Sequence, residues 1–262
     1  MSAIILQDEI VHYEVLGRGK PIIFLHGWVG SWRYWIPAMQ AASVGFRAYA
    51  LDLWGFGDTA KNTQFYSLEG QINLLDEFLA EMGIGKVALI GHGLGGLITL
   101  LYAARHPRFV DRALTVASPN GHDRINQRLL SASPTELADW LLSRAPEAEP
   151  ARLEAPKADP RAIQVSLVDF STIDIPYIYA QLIPPCLMVY GEQDPVIGSP
   201  PPEYLDHLPY HLHQVVFDNS GHFPMLDESS KFNRLLTEFL SLTSGETPRY
   251  LQVKEEWKRR VR

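Results

Sequence analysis

The feature that most constrains this chain of 262 residues is a glycine-rich turn between a strand and a helix. Residues 87–90 are four consecutive apolar residues, a pattern typical of a strand that is buried inside a parallel sheet. The glycines of residues 91–96 indicate a tight turn, and the apolar residues after them predict a helix that continues to about Arg105. This succession places Gly93 at the tip of a sharp turn, at the carboxyl end of a strand.

Strands and helices alternate over most of the chain. Apolar runs predict further strands at residues 4–6, 10–15, 22–25, 46–52, 113–117, 186–190 and 212–218. Helices are predicted at residues 31–41, 67–82, 202–208 and 228–242. Since such alternation produces a parallel sheet covered by helices, we expect an α/β fold with a mostly parallel central sheet and helices on both faces. Sites in such folds lie at the carboxyl ends of the strands.

The alternation stops between residues 120 and 184. Ser133, Pro134 and Glu136 have the spacing of a capped helix start, and a second helix is predicted at residues 161–170. Prolines at positions 146, 150, 156 and 160 exclude one continuous helix. Because insertions of this length are commonly functional, we predict a small helical lid at residues 120–184 over a core of residues 1–119 and 185–248. A linker without a role at a pocket is the alternative.

Composition excludes several classes of function. The net charge of −7 argues against a nucleic-acid binder and against a protein attracted to anionic membranes. No segment approaches the roughly 20 apolar residues of a membrane span. The single cysteine, Cys186, lies in an apolar run and provides neither a disulfide framework nor a metal site. We therefore expect a cytoplasmic protein that uses no metal and no cofactor.

Five short motifs follow predicted strands in a fixed order. They are His-Gly-Trp at 26–28, Asp-Leu-Trp-Gly-Phe-Gly at 52–57, Gly-His-Gly-Leu-Gly-Gly at 91–96, Gly-Glu-Gln-Asp at 191–194 and Ser-Gly-His at 220–222. Over about residues 10–119 and 185–242, this order resembles the α/β-hydrolase superfamily, in particular its soluble esterases, epoxide hydrolases, haloalkane dehalogenases and C–C hydrolases. The resemblance implies the α/β-hydrolase fold, with the 91–96 turn as the nucleophile elbow. The lid carries no motif of that group.

The resemblance also implies a catalytic triad in the chain order nucleophile, acid, histidine. His222 is suited to shuttle protons near neutral pH, and Asp194 is placed to hold its imidazole in one tautomer. The other strand end that could supply the acid offers only Asn120, which cannot ionise. At the nucleophile position this chain has Gly93, where the family has serine, or aspartate in the dehalogenase and epoxide hydrolase branches.

The oxyanion hole of the family uses two backbone N–H groups, which by position are those of Trp28 and Leu94. His26 resembles the structural histidine of that loop, and Asp52 is interpreted as fixing the turn at residues 55–57. A set of tryptophans in or near strand-end loops and the lid is predicted to line an apolar pocket, with ordinary core packing as the alternative: Trp32, Trp35, Trp54 and Trp140. The expected partner is a small apolar organic substrate or ligand.

Gly93 decides which chemistry remains. Loss of a catalytic serine typically reduces turnover by about a millionfold, although backbone donors survive it. Three hypotheses follow: a hydrolase disabled at its nucleophile, a non-catalytic binding or interaction protein, or a general-base enzyme in which His222 and Asp194 act without a covalent intermediate.

The last segment, residues 249–262, is a basic extension with six basic and two acidic residues. It is interpreted as a frayed, solvated end, with docking on an acidic patch as the alternative. The sequence leaves open whether the chain forms a homodimer.

Overall fold

One eight-stranded sheet forms the centre of the protein in a computed structural model, which describes residues 2–121, 124–200 and 208–252. The strands are β1 (Ser2–Leu6), β2 (Glu9–Gly17), β3 (Lys20–Leu25), β4 (Phe46–Leu51), β5 (Val87–His92), β6 (Val110–Val116), β7 (Cys186–Gly191) and β8 (Leu212–Phe217). β5 and β7 are buried along their whole length, as expected of apolar runs in the middle of a parallel sheet.

The strand order is β1-β2-β4-β3-β5-β6-β7-β8. β1 pairs with β2 and β2 with β4 in the antiparallel sense, and all other neighbours are parallel. The carboxyl ends of the parallel strands therefore meet at one edge of the sheet. Trp28, Gly93, Asp194 and His222 all lie in segments that follow strands ending at this edge. The predicted α/β fold with a mostly parallel sheet is confirmed.

Ten helices pack around the sheet in the described residues. They are α1 (Ile36–Ala42), α2 (Leu68–Glu81), α3 (Leu94–Arg105), α4 (Arg128–Ser131), α5 (Pro134–Leu141), α6 (Glu149–Glu154), α7 (Pro160–Phe170), α8 (Ile175–Gln181), α9 (Pro224–Asp227) and α10 (Ser229–Ser241). α1 packs against α10, and α3 packs against α2 and α8, so both faces of the sheet are covered. The helix predicted at residues 31–41 begins instead as a 3-10 turn at Trp32–Trp35. The α-helix starts with Pro37 in its first turn, where the missing N–H costs nothing.

The segment between β6 and β7 contains the five short helices α4 to α8. The start of α5 has the predicted capping box, in which Ser133 Oγ accepts from the Glu136 N–H and Glu136 Oε2 accepts from the Ser133 N–H. Prolines divide the stretch between α5 and α7 into α6 and two flanking 3-10 turns. The predicted helix at 161–170 is α7, whereas α4, α6 and α8 had no counterpart in the prediction.

Two sequence-based expectations fall on positions that the structure does not describe. Residues 202–207 of the predicted helix at 202–208 lie outside the described residues, as do residues 253–262 of the basic extension. At the beginning of that extension, the backbone forms a 3-10 turn at Pro248–Tyr250, and Leu251 O accepts a hydrogen bond of 2.9 Å from His213 Nε2. Among the helices that the structure describes, none combines the length and apolar character needed to cross a bilayer.

Candidate active site

The sharp turn after β5 has the backbone geometry of a nucleophile elbow. Gly93 has φ 50° and ψ −111°, a conformation that a residue with a Cβ adopts only with strain. Its N–H donates to Val116 O at 2.9 Å, and its carbonyl accepts from the Leu97 N–H at 3.0 Å. The neighbouring Gly95 permits close packing, because a Cβ there would overlap the carbonyl oxygen of Leu25. The tip residue is thus held between β6 and the first turn of α3.

The space beside Gly93 is large enough for a small side chain. An ideal Cβ built on Gly93 would meet Trp28 Cε3 at 3.3 Å and Gly27 Cα at 3.5 Å, with no closer atom in the described residues. The Trp28 ring therefore forms one wall of this space. A Cβ at this position would require the ring to move by a few tenths of an ångström, and the backbone strain adds to this cost.

The structure brings together the predicted acid and base. His222 Nδ1 and Asp194 Oδ2 are 2.8 Å apart, and both side chains are almost fully buried. The other carboxylate oxygen of Asp194 accepts from the N–H groups of Val196 and Ile197 at 2.8 and 3.1 Å. The carboxylate is therefore fixed by backbone donors and accepts from His222 Nδ1–H. In that tautomer Nε2 is left free to accept a proton.

The loop after β3 carries the first predicted oxyanion donor. His26 Nδ1–H donates to Gly27 O at 2.8 Å, and His26 Nε2 accepts from the Leu53 N–H at 3.0 Å. Because a peptide unit is planar and trans, holding the Gly27 carbonyl also fixes the direction of the Trp28 N–H on the same unit. Burial lowers the pKa of His26, which keeps the imidazole neutral and able to accept from Leu53.

The second predicted donor is the N–H of Leu94, the first residue of α3. Within the described residues, neither the Leu94 N–H nor the Trp28 N–H donates a hydrogen bond to another protein group. The first N–H groups of a helix have no partner inside the helix and carry its partial positive charge. Two unpartnered donors therefore flank the Gly93 turn, which is the arrangement that a developing oxyanion requires.

The indole of Trp28 links this loop to the segment of residues 120–184. Trp28 Nε1 donates to Ser166 Oγ on α7 at 3.0 Å, and the hydroxyl of Ser166 lies within bonding distance of Ala162 O. Three further bonds join α7 and its N-cap Asp159 to the loop after β4 and to the start of α2: Asp159 N to Gly55 O (2.8 Å), Tyr66 Oη to Asp159 Oδ2 (2.8 Å) and Leu68 N to Asp169 Oδ2 (2.9 Å). The α7 part of residues 120–184 is therefore hydrogen-bonded to the loops after β3 and β4.

The four tryptophans predicted to line a pocket have different surroundings. Trp35 is fully buried in the core, with its ring 5.2 Å from that of Phe24 and 6.2 Å from that of Phe232, so its position fits the core alternative. Trp32, the first residue of the 3-10 turn before α1, packs near His12. Trp54 packs against Phe65 in the loop that meets α7, and Trp140 on α5 lies under the guanidinium of Arg128. None of these contacts is with Gly93; the tryptophan beside it is Trp28.

Asp52 organises the loop after β4. Its carboxylate accepts from the N–H groups of Trp32 (2.9 Å) and Asp58 (3.0 Å) and from His12 Nδ1 (2.9 Å). Burial disfavours the imidazolium of His12, but the hydrogen bond and the charge of Asp52 outweigh it and raise the pKa of His12. His12, Asp52 and Asp58 also form the one group of metal-ligand type in the described residues. Since the Asp52 oxygens are already used by protein donors, the arrangement is that of a structural hydrogen-bond centre.

Two residues at the site carried no signal in the sequence. Ser166 lies on a helix that was predicted only as part of the lid, and Tyr34 was treated as part of an ordinary helix. His92, inside the glycine-rich turn, is fully buried, and its ring centroid is 4.7 Å from that of His222. Ser118, whose buried hydroxyl has no partner in the described part of the chain, lies against Gly96 rather than at the tip of the turn.

Comparison with known proteins gives a consistent family assignment. The family described as "Alpha/beta hydrolase family" matches residues 22–235. A pimeloyl-[acyl-carrier protein] methyl ester esterase from Vibrio cholerae is 27% identical over 253 residues, which cover 87% of this chain and 97% of the relative.

Solved structures of similar fold include two of particular relevance. An esterase from Exiguobacterium antarcticum has a TM-score of 0.81 at 19% identity, covering 92% of this chain and 99% of that chain. A serine-to-alanine variant of the meta-cleavage product hydrolase from Pseudomonas fluorescens, complexed with acetates, has a TM-score of 0.77 at 21% identity, covering 92% and 97%. At these identities the structural likeness establishes the fold.

Proposed function

Because the chain belongs to the alpha/beta hydrolase family, we propose that its site at Gly93, Asp194 and His222 binds esters of small apolar carboxylic acids. The parent chemistry is ester hydrolysis through a nucleophile, an acid and a histidine. Gly93 leaves the covalent route absent or feeble. The observation that carries the proposal is the hydrogen bond of 2.8 Å between His222 Nδ1 and Asp194 Oδ2, next to an elbow with φ 50° and ψ −111°.

The proposed ligand class comes from the relatives and from the walls of the site. The Vibrio cholerae relative is named for the methyl ester of a pimeloyl group on an acyl-carrier protein. We therefore take methyl esters of medium-length acyl chains as the class to test first. The Trp28 ring beside Gly93 supports an apolar acyl chain, since it offers carbon atoms rather than polar groups to the ligand. We also propose that the protein is cytoplasmic and that it forms a homodimer.

Each residue of the site has a separate role in the parent reaction. A hydroxyl at position 93 would attack the ester carbonyl while His222 Nε2 takes its proton, and Asp194 would stabilise the resulting imidazolium. The N–H groups of Trp28 and Leu94 would hold the oxyanion, and His222 would then return the proton to the leaving alcohol. The present chain keeps the base, the acid and the donors, so it can hold and polarise a carbonyl without forming an acyl intermediate.

The test is to restore the hydroxyl. Gly93→Ser is expected to hydrolyse p-nitrophenyl butyrate and a methyl ester of pimelate at least about a thousandfold faster than the unaltered chain. Gly93→Ala is the matched control, because it adds the same Cβ without the oxygen. Gly93→Ser combined with His222→Ala should return to the background rate. If Gly93→Ser is no faster than Gly93→Ala, the site lacks the parent chemistry that we propose.

A second candidate function is reversible binding of carboxylates without turnover. It is favoured by the two N–H donors, of Trp28 and Leu94, that have no partner in the described residues. The Pseudomonas fluorescens neighbour, in which a serine is replaced by alanine, is described in complex with acetates. Calorimetric titration with a medium-chain carboxylate should show saturable binding if this function holds. Binding by both the unaltered chain and Gly93→Ser, with no turnover in either, would favour it over the esterase proposal.

A third candidate is hydrolysis by a water molecule that His222 activates directly. It is favoured by the absence of a side chain at Gly93, together with the hydrogen bond to Asp194 that engages His222 Nδ1 and leaves Nε2 to act as the base. A water molecule beside His222 Nε2 would lose a proton to it while attacking the carbonyl carbon. Measurable turnover by the unaltered chain that His222→Ala abolishes would assign the activity to this route.

A further inference from the structure

A chain of three hydrogen bonds connects the oxyanion loop to the loop of His222 through buried side chains. The Gly27 N–H donates to Tyr34 Oη at 2.6 Å, and Tyr34 Oη lies 2.9 Å from His92 Nδ1. His92 Nε2 lies 2.9 Å from His222 O. The two ends of this chain, Gly27 and His222, belong to the two loops that flank the elbow.

The direction of each bond follows from the groups at its ends. A backbone N–H can only donate, so Tyr34 Oη accepts from the Gly27 N–H. A carbonyl oxygen can only accept, so His92 Nε2 carries the proton that is donated to His222 O. In a neutral His92 that carries this proton, Nδ1 has none and accepts from the Tyr34 hydroxyl. Burial, with the neighbouring His222 as a smaller cause, lowers the pKa of His92 well below its ordinary value, which agrees with that state.

Ring packing holds the same residues together. The Phe223 ring is 4.6 Å from the His92 ring and 5.6 Å from the Tyr34 ring, measured between centroids. Gly27 lies directly against His92, because a Cβ on Gly27 would be 2.7 Å from His92 Nδ1. The loop of His222 is thus fixed by a backbone hydrogen bond and by the contacts of its next residue. A shift of either loop would break a bond in a region that water does not reach.

We propose that Tyr34 and His92 are positioning residues that hold the Trp28 N–H and the His222 imidazole in a fixed mutual arrangement. They act through the Gly27 amide, which precedes the Trp28 peptide, and through the backbone of His222. Removing the Tyr34 hydroxyl leaves the Gly27 N–H and His92 Nδ1 without partners and breaks the hydrogen-bonded link between the two loops. The functional part of this inference rests on the proposed esterase site, and the geometric part does not.

The geometric part is tested in the unaltered chain by amide hydrogen exchange. The Gly27 N–H should be protected, and Tyr34→Phe should remove that protection. The Leu53 N–H, which donates to His26, should keep its protection in the same variant. Nitrogen-15 spectra of labelled histidine should show His92 protonated on Nε2 only. Unchanged Gly27 protection in Tyr34→Phe, or a His92 protonated on Nδ1, would overturn the proposal whether or not the site hydrolyses esters.

The functional part is tested in Gly93→Ser. Tyr34→Phe should lower kcat by about 10- to 100-fold, with KM changed less than about twofold, because small misplacements of catalytic groups cost rate rather than ligand affinity. His92→Gln, which can still donate to His222 O, should retain more kcat than His92→Asn, which is too short. Tyr102→Phe, which removes another buried hydroxyl that donates to Asp76, is the control and should leave kcat unchanged.

The outcomes of this second test separate the two proposals. If Tyr34→Phe and Tyr102→Phe affect kcat equally, or if His92→Asn and His92→Gln do, the positioning role is refuted. If Gly93→Ser itself has no activity, the esterase proposal fails, and the exchange and nitrogen-15 measurements alone decide the arrangement of Tyr34 and His92.

Discussion

Gly93 lies in a backbone conformation that should make any side chain at this position destabilising, and the size of the effect can be worked out. At φ 50° and ψ −111° a residue with a Cβ carries about 1–3 kcal/mol of strain. The new Cβ would also press on Trp28 Cε3 at 3.3 Å. Against this, alanine reduces the freedom of the unfolded chain, which stabilises by about 0.4–1 kcal/mol. We therefore expect Gly93→Ala to lower the free energy of unfolding by up to about 2.6 kcal/mol, to which the contact with Trp28 adds.

Urea unfolding followed by tryptophan fluorescence measures this difference. The midpoint should fall while the m-value stays the same, since neither the fold nor the exposed surface changes. For a chain of this size the melting temperature should fall by about 2–4 °C for each kcal/mol.

Substitutions at two other glycines separate the cost of a positive φ from the cost of the contact with Trp28. Gly83 has φ +64° and open space around its Cβ position, so Gly83→Ala reports the cost of positive φ alone. Gly85 has open space and no positive φ, so Gly85→Ala should be neutral or slightly stabilising. If Gly93→Ala proves as stable as Gly85→Ala, the elbow is not strained, and backbone strain does not explain why glycine is tolerated at its tip.

Three further predictions concern residues around the site. Burial raises the pKa of Cys186 to about 12, so iodoacetamide should not modify the native protein near neutral pH but should modify it in urea. Ser166→Ala should lower the free energy of unfolding by about 1–3 kcal/mol in the same urea assay, because it leaves the indole N–H of Trp28 buried without an acceptor. The pKa of His12 is raised above 6.5 in the folded state, so its ion pair with Asp52 stabilises the protein below that value. This contribution should be lost as the pH rises through the raised pKa, and His12→Gln should abolish that part of the pH dependence of unfolding.

Local patterns were sufficient to predict the sheet and the positions of its polar loops. Four apolar residues between turn residues can form a buried strand without further information, and β3, β5 and β7 contain such runs. The capping box of α5 was predictable for the same reason, since Ser133 and Glu136 lie three residues apart on one turn. Asp194 and His222 come together because the strands before them, β7 and β8, are neighbours in the sheet.

The contacts that depend on side-chain direction could not be predicted in this way. Tyr34 and His92 are separated by 58 positions, and nothing local indicates that a tyrosine after β3 faces a histidine at the end of β5. Trp35 was predicted to line a pocket by its place near a strand end. Only the orientation of the 3-10 turn, which turns its ring toward Phe24 and Phe232, puts it in the core. The missed helices α4, α6, α8 and α9 are short, and each has too few residues for a periodic pattern to be recognisable.

The supports of the candidate site do not pass through the side chain of residue 93. Asp194 is held by two backbone N–H groups, and His222 is held by Asp194 and, through its carbonyl, by His92. The Trp28 donor is directed by the bond from His26 to the Gly27 carbonyl, and the Leu94 donor by the start of a helix. A hydroxyl at the elbow would be an addition to these groups rather than a part of what positions them. The geometry of base, acid and donors is therefore expected to be the same in Gly93→Ser as in the unaltered chain, so any gain in turnover can be assigned to the oxygen itself.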